Sequence, residues 1–112
     1  MSHITITPQS GKVTIVYKGA VVAESTKALS LKEGSYPATI YVPRADLRAE
    51  YFLETDHKTV CPHKGTARYW TLNSKDGEAP NAVWGYDNPK ADVAAIDKHV
   101  AFYPNQVEIR VE

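Results

Sequence analysis

Apolar and polar residues alternate in short runs separated by turn-forming residues, and a period of two commits a chain to strands. Val13, Ile15 and Tyr17 alternate with Thr14, Val16 and Lys18. Val107, Ile109 and Val111 alternate with Glu108 and Arg110. Lys18-Gly19 is a turn, so residues 20–24 are expected to return beside the first run. Residues 38–42 form another strand, ended by Pro43, which has no N–H to give to a ladder. Residues 51–54 are a short strand followed by a turn over 55–58, and residues 101–103 are another. The clearest pair is 65–72 and 82–86, separated by the loop composition of residues 73–80.

Two segments depart from this period. Residues 46–51 fit one or two helical turns. Asn88-Pro89 supplies an N-cap and a first helical residue. Residues 91–99 then place Val93, Ile96 and Val100 on one side of a helix. Residues 25–34 have no clear period and are expected to form an irregular connection. The sum is a single, mainly β (α+β) domain over 1–112. It has seven or eight short strands and one or two short helices, in a compact antiparallel sheet or a partly open barrel. Seven tyrosines and many Val, Ile and Thr residues favour the same class.

Composition limits the partners. Thirteen basic residues balance thirteen acidic ones, so the electrostatic footprint of a general nucleic-acid or anionic-membrane binder is missing. The first residues have neither a charged n-region nor a long apolar core, and no stretch approaches transmembrane length. Cys61 is the only cysteine and has no intramolecular partner, which fits a reducing compartment. These features give a cytoplasmic protein with neither nucleic acid nor membrane as partner. Its oligomeric state is left open.

Chemistry concentrates at Cys61-Pro62-His63-Lys64-Gly65. A thiolate needs positive charge nearby, and His63 and Lys64 lie within three residues of the sulfur. Cys61 and Lys64 are therefore the catalytic candidates. The alternative is a free cysteine that simply packs, as most do. His63 alone makes no metal site, because there is no second cysteine and no H-x-x-x-H spacing. His3, His57 and His99 are scattered ordinary histidines.

If residues 65–72 are a strand, Lys64, Thr66, Arg68 and Trp70 share one face and Gly65, Ala67, Tyr69 and Thr71 the other. A hairpin pairing Leu72 with Asn81 sets Tyr69 opposite Trp84 and Ala67 opposite Tyr86. Three aromatic rings then gather beside small residues, as a sheet-stabilising cluster or as a pocket wall. At the end of the 38–42 strand, Tyr41 precedes Pro43, Arg44 and Asp46. A guanidinium there can bind a carboxylate or phosphate. Asp46 otherwise suits the start of a helix.

Taken in order, several pieces resemble the domain of unknown function 427 family, also labelled nucleotidyltransferase-like. They are residues 19–25, Tyr36-Pro37, Tyr41-Val42-Pro43-Arg44-Ala45-Asp46, residues 59–70 (containing Cys61-Pro62-His63-Lys64-Gly65), residues 82–89 (containing Trp84-Gly85-Tyr86), and residues 100–103. The resemblance covers nearly the whole chain. It implies a small, mostly β single domain and no particular reaction. It also implies that Pro43, Arg44, Asp46, Cys61, Lys64, Gly65, Tyr69, Trp84, Tyr86 and Tyr103 line one pocket. His63 stands where many relatives carry an aromatic residue. Nucleotidyl transfer needs carboxylates for a divalent metal and a Gly-rich phosphate cradle. The sequence contains neither Asp-x-Asp nor such a loop.

Three functions follow. One is a domain binding a small, anionic or neutral molecule between Tyr41, Tyr69, Trp84, Tyr86 and Tyr103, with Arg44 and Lys64 holding its charge. Another is an enzyme with Cys61 as nucleophile or redox group. The last is a structural or interaction module with the aromatics as core. No cofactor is specified by any motif.

Overall fold

The computed structural model describes residues 3–112. Its described residues form ten strands: β1 (Ile4–Pro8), β2 (Val13–Tyr17), β3 (Ala20–Ser25), β4 (Leu29–Glu33), β5 (Thr39–Pro43), β6 (Phe52–Cys61), β7 (Gly65–Ser74), β8 (Gly77–Tyr86), β9 (His99–Phe102) and β10 (Glu108–Val111). Seven of them make an antiparallel sheet in the order β1-β4-β5-β9-β8-β7-β6, and three make a second sheet in the order β10-β2-β3. The protein is thus mostly β, with two antiparallel sheets and no closed barrel. Among the described residues, no helix is long and apolar enough to cross a membrane.

Alternation along the central strands decides where the core sits. Val42, Trp70, Leu72, Val83, Val100 and Phe102 project from one face of the large sheet and pack with Val13, Ile15, Tyr17 and Val22 of the small one. An Ala23–Leu47 bridge fastens the small sheet to the segment after β5. The neighbours Tyr41, Ala67, Tyr69, Tyr86 and Ala101 project from the other face into a second cluster, with Val93 and Ile96 packed among them. Burying each Val, Leu, Ile or Phe among them stabilises by roughly 1.5–3 kcal/mol in transfer terms. Gly85 permits the close approach of β8 to β9, since a Cβ there would stand 2.4 Å from the His99 carbonyl oxygen.

Four elements differ from the expectation. Residues 25–34 contain β4, so the irregular connection is mostly a strand; Leu29 and Leu31 alternate with Ser30 and Lys32 and pair with β1 and β5. The turn expected at 55–58 is a bulge within the ten-residue β6, where pairing with β7 skips from Glu54 to Lys58. The loop expected over 73–80 shrinks to Lys75-Asp76, because both strands continue past the bulge opposite Thr71. Pro80 falls in that bulge, where its missing donor costs nothing.

The helix expected over 91–99 is a 3-10 segment, Ala91–Ile96, kinked at Val93, and His99 already belongs to β9. Lys98 has φ 59, which ends any helix before it. The turns expected in 46–51 appear as two 3-10 turns, Arg44–Asp46 and Ala49–Tyr51.

Candidate functional site

Three residues connect β6 to β7, and Cys61 pairs directly with Gly65 across the turn. The Lys64 amide donates to the Cys61 carbonyl at 3.2 Å, and the Lys90 amide donates to the Lys64 carbonyl at 2.9 Å. Gly65 follows with φ +122, a conformation that side-chain-bearing residues rarely adopt. This tight exit turns Lys64 out of the β7 alternation. Its side chain therefore lies on the Tyr69 face, although strand parity would place it with Arg68 and Trp70.

Lys64 Nζ donates to Glu33 Oε1 at 2.9 Å and lies 4.0 Å from Cys61 Sγ. The Lys64 side chain is only 12% exposed, so most of its charge is held out of water. The pair sits in the wall of a cavity of about 290 Å³. Tyr41, Trp84 and Tyr86 form the aromatic part of that wall, with Tyr36, Pro37 and Thr39 at the β4–β5 end.

The phenols are held neutral. Burial pushes Tyr41 up to about 12, opposed by a hydrogen bond with the Trp84 side chain. Burial also pushes Tyr86 well above the usual phenol range, reinforced by Tyr41, Cys61 and Tyr69 nearby. The cavity thus offers a cation, a carboxylate and two protonated phenols against an indole. Such a set recognises a small molecule with both apolar surface and hydrogen-bonding groups.

The Tyr69–Trp84 and Ala67–Tyr86 pairs occur as the sequence suggests, but Leu72 pairs with Ala79 instead of Asn81. The cause is the β8 bulge. Asn81 has φ 52, its amide donates to Thr71 Oγ1 at 3.3 Å, and its side chain meets Thr55 Oγ1 at 2.7 Å. Tyr69 lies next to the cavity, its hydroxyl 3.0 Å from Thr59 Oγ1 and its ring stacked edge-on with His57 at 4.5 Å. Tyr103 tilts against Trp84 at 4.6 Å between ring centroids. Burial raises the Tyr103 phenol, as does its hydrogen bond to Tyr69.

Arg44 and Asp46 lie elsewhere. Arg44 stands on the opposite face of the sheet, where its guanidinium donates to Asp87 Oδ1 at 3.0 Å and lies 5.3 Å from the Trp70 ring centroid. Asp46 accepts a hydrogen bond from Ser25 Oγ at 2.6 Å, near the small sheet. The structure therefore gathers Tyr41, Cys61, Lys64, Trp84 and Tyr86, sets Tyr69 and Tyr103 beside them, and separates Arg44 and Asp46 from them. Glu33 and Thr39 also line the cavity and carry no motif of their own. The alternation of Leu29 and Leu31 was the available signal for their neighbourhood, whereas a salt bridge between residues 33 and 64 leaves no local pattern.

A family model described as Domain of unknown function (DUF427) matches residues 5–112, in agreement with the resemblance. No curated protein matches the chain significantly.

Proposed function

The chain belongs to the DUF427 family, and we propose that its function is to bind a small molecule in the cavity walled by Tyr41, Trp84 and Tyr86. The supporting observation is the Lys64–Glu33 pair, largely dried and set among aromatic side chains. A buried ion pair is a poor source of stability compared with apolar packing. In a cavity it supplies a fixed donor and a fixed acceptor for a ligand. The ligand presents an anionic or carbonyl oxygen to Lys64 and a flat or apolar portion to Trp84. The volume lies at the low end of ligand cavities, which run from roughly 300 to 1,000 Å³, so the molecule is small. We place this binding in the cytoplasm, where an unpaired thiol such as Cys61 stays reduced.

Native mass spectrometry of protein purified from its source tests this reading. A discrete small-molecule adduct is expected, lost in Trp84→Ala and weakened in Lys64→Met. Unmodified mass, together with no thermal shift from any small carboxylate, amide or nucleoside tried, overturns it.

A second reading, catalysis through Cys61, is favoured by one observation: the sulfur is half-buried beside Lys64 and Tyr86. The distances weigh against it. Lys64 Nζ is only marginally close to the sulfur at 4.0 Å, and its charge is already offset by Glu33 at 2.9 Å. Iodoacetamide labelling across a pH series separates the two. Alkylation faster than that of a free peptide thiol at neutral pH supports the nucleophile.

A further inference from the structure

A second, larger hollow lies elsewhere on the molecule. It is a groove of about 680 Å³ on the opposite face of the seven-stranded sheet. No strand of the small sheet lines it. Leu47, Phe52 and Trp70 give it an apolar floor, and Ala45 and Ala49 keep one wall low. Its volume falls within the usual range for ligand cavities.

Arg44 supplies the specificity. Its backbone amide donates to the Lys98 carbonyl at 2.9 Å, which fixes the residue at the groove's edge. One guanidinium nitrogen donates to Asp87. The remaining nitrogens have no hydrogen-bond partner among the described residues, and the side chain is 36% exposed. Arg68, the other cation over Trp70, already donates from all three of its nitrogens, to Glu54 and Asp87. Lys98 adds a second cation to the lining, and the lone carboxylate there, Asp97, accepts from the Asn88 amide at 2.9 Å.

We infer that this groove binds a small carboxylate with an apolar ring or chain. The apolar body lies on Trp70, Phe52 and Leu47, and the carboxylate takes the unused donors of Arg44. A planar guanidinium with two adjacent free donors matches the two oxygens of a carboxylate. One free arginine fork suits a monoanion better than a phosphate dianion, which would need a denser cluster of cations. The inference goes beyond the proposed function and does not rest on it, because the two cavities share no lining residue.

Titration of ¹⁵N-labelled protein with 3-phenylpropionate, followed by NMR, tests it. Saturable shifts are expected in the amides of residues 44–52 and 97–99, while those of Tyr41, Trp84 and Tyr86 stay still. The neutral 3-phenylpropanamide should bind about tenfold more weakly, the loss expected for one charge-assisted contact. Arg44→Gln should abolish that preference. Ala49→Asp leaves the Arg44–Asp87 pair intact and should also weaken 3-phenylpropionate about tenfold through like-charge repulsion. Equal affinity for the acid and the amide, shifts confined to the Trp84 cavity, or unchanged binding in a well-dispersed Ala49→Asp spectrum each overturn the inference.

Discussion

The two faces of the seven-stranded sheet are built by the same strands and handle charge in opposite ways. On the Tyr41 face, one ion pair, Lys64–Glu33, is withdrawn among aromatic rings. On the Arg44 face, Glu54, Arg68, Asp87 and Arg44 form an open chain of ion pairs flanking Trp70, and each of these side chains is a quarter to a half exposed. Desolvation makes the difference. A dried charge must keep its partner, whereas a wet one exchanges it for water at little loss. Perturbing one face should therefore cost stability, and perturbing the other should mainly change recognition.

The largest effect should come from the element common to both faces. A Cβ at Gly85 would stand 2.4 Å from the His99 carbonyl oxygen and 3.1 Å from a Val100 methyl, and the backbone oxygen cannot swing aside. Gly85→Ala is expected to pry β9 from β8 and cost about 3 kcal/mol or more, as overpacking at a rigid site does. Urea unfolding measures it. A loss under about 1 kcal/mol would mean that the sheet yields there and that the two faces are less tightly coupled than their shared strands imply.

Alkaline pH should act chiefly on the Tyr41 face, although burial also raises the Tyr17 phenol in the core between the sheets. Tyr41 titrates near 12 in the folded protein against 10.0 for an unperturbed phenol. Between those values the unfolded chain loses the proton first and the folded chain keeps it, so stability falls as pH rises from about 10 to about 12. The contribution is fully present below pH 10 and amounts to roughly 2–3 kcal/mol at most. Tyr86 moves in the same direction. Urea midpoints from pH 9 to 12 should drop steeply, and Tyr41→Phe should flatten the slope. An equally steep slope in that variant would assign the transition to other groups.

What the sequence disclosed follows from which forces are local. The alternation around Tyr69 and Trp84 placed both on one face and predicted their pairing, because side-chain parity and a tight hairpin are properties of short segments. The same logic failed at Leu72, since the bulge at Pro80-Asn81 depends on Thr71 and Thr55, which lie on other strands. It failed at Lys64 because a turn residue is released from strand parity. Residue type alone groups Arg44 and Lys64 as co-ligands. Arg44 shares its face with Val42, and Lys64 is drawn to Glu33, a partner thirty-one residues away on a strand that was not foreseen. The helix over 91–99 was suggested by the spacing of Val93 and Ile96, which do pack together, but a 3-10 turn presents them equally well.

Glu33→Gln comes next in size. It leaves the Lys64 ammonium, only 12% exposed, without its countercharge. The expected loss is about 1–3 kcal/mol, below that of a fully buried pair because Glu33 itself touches water. The double variant Glu33→Leu with Lys64→Met should recover much of it, since apolar packing replaces an ion pair well when both charges go. No recovery would show that the pair also organises the Cys61–Gly65 turn.

The smallest stability effect is expected at Arg44. Its pair with Asp87 is a third exposed on each side, and Asp87 retains Arg68 when Arg44 is removed. Arg44→Gln should therefore cost less than about 1 kcal/mol in urea unfolding. The lost stacking over Trp70 adds roughly 0.5 kcal/mol, the low end for an exposed cation–π contact. Set beside Glu33→Gln, this comparison tests the contrast between the faces directly, because each variant removes one charge from one pair. If Arg44→Gln proved the more costly, the Arg44–Asp87–Arg68–Glu54 chain would be holding β5, β6, β7 and β8 together, and its exposure would be no guide to its mechanical role. If the costs fall in the expected order, Arg44 is dispensable for the fold, and its position over Trp70 has to be explained by what it binds.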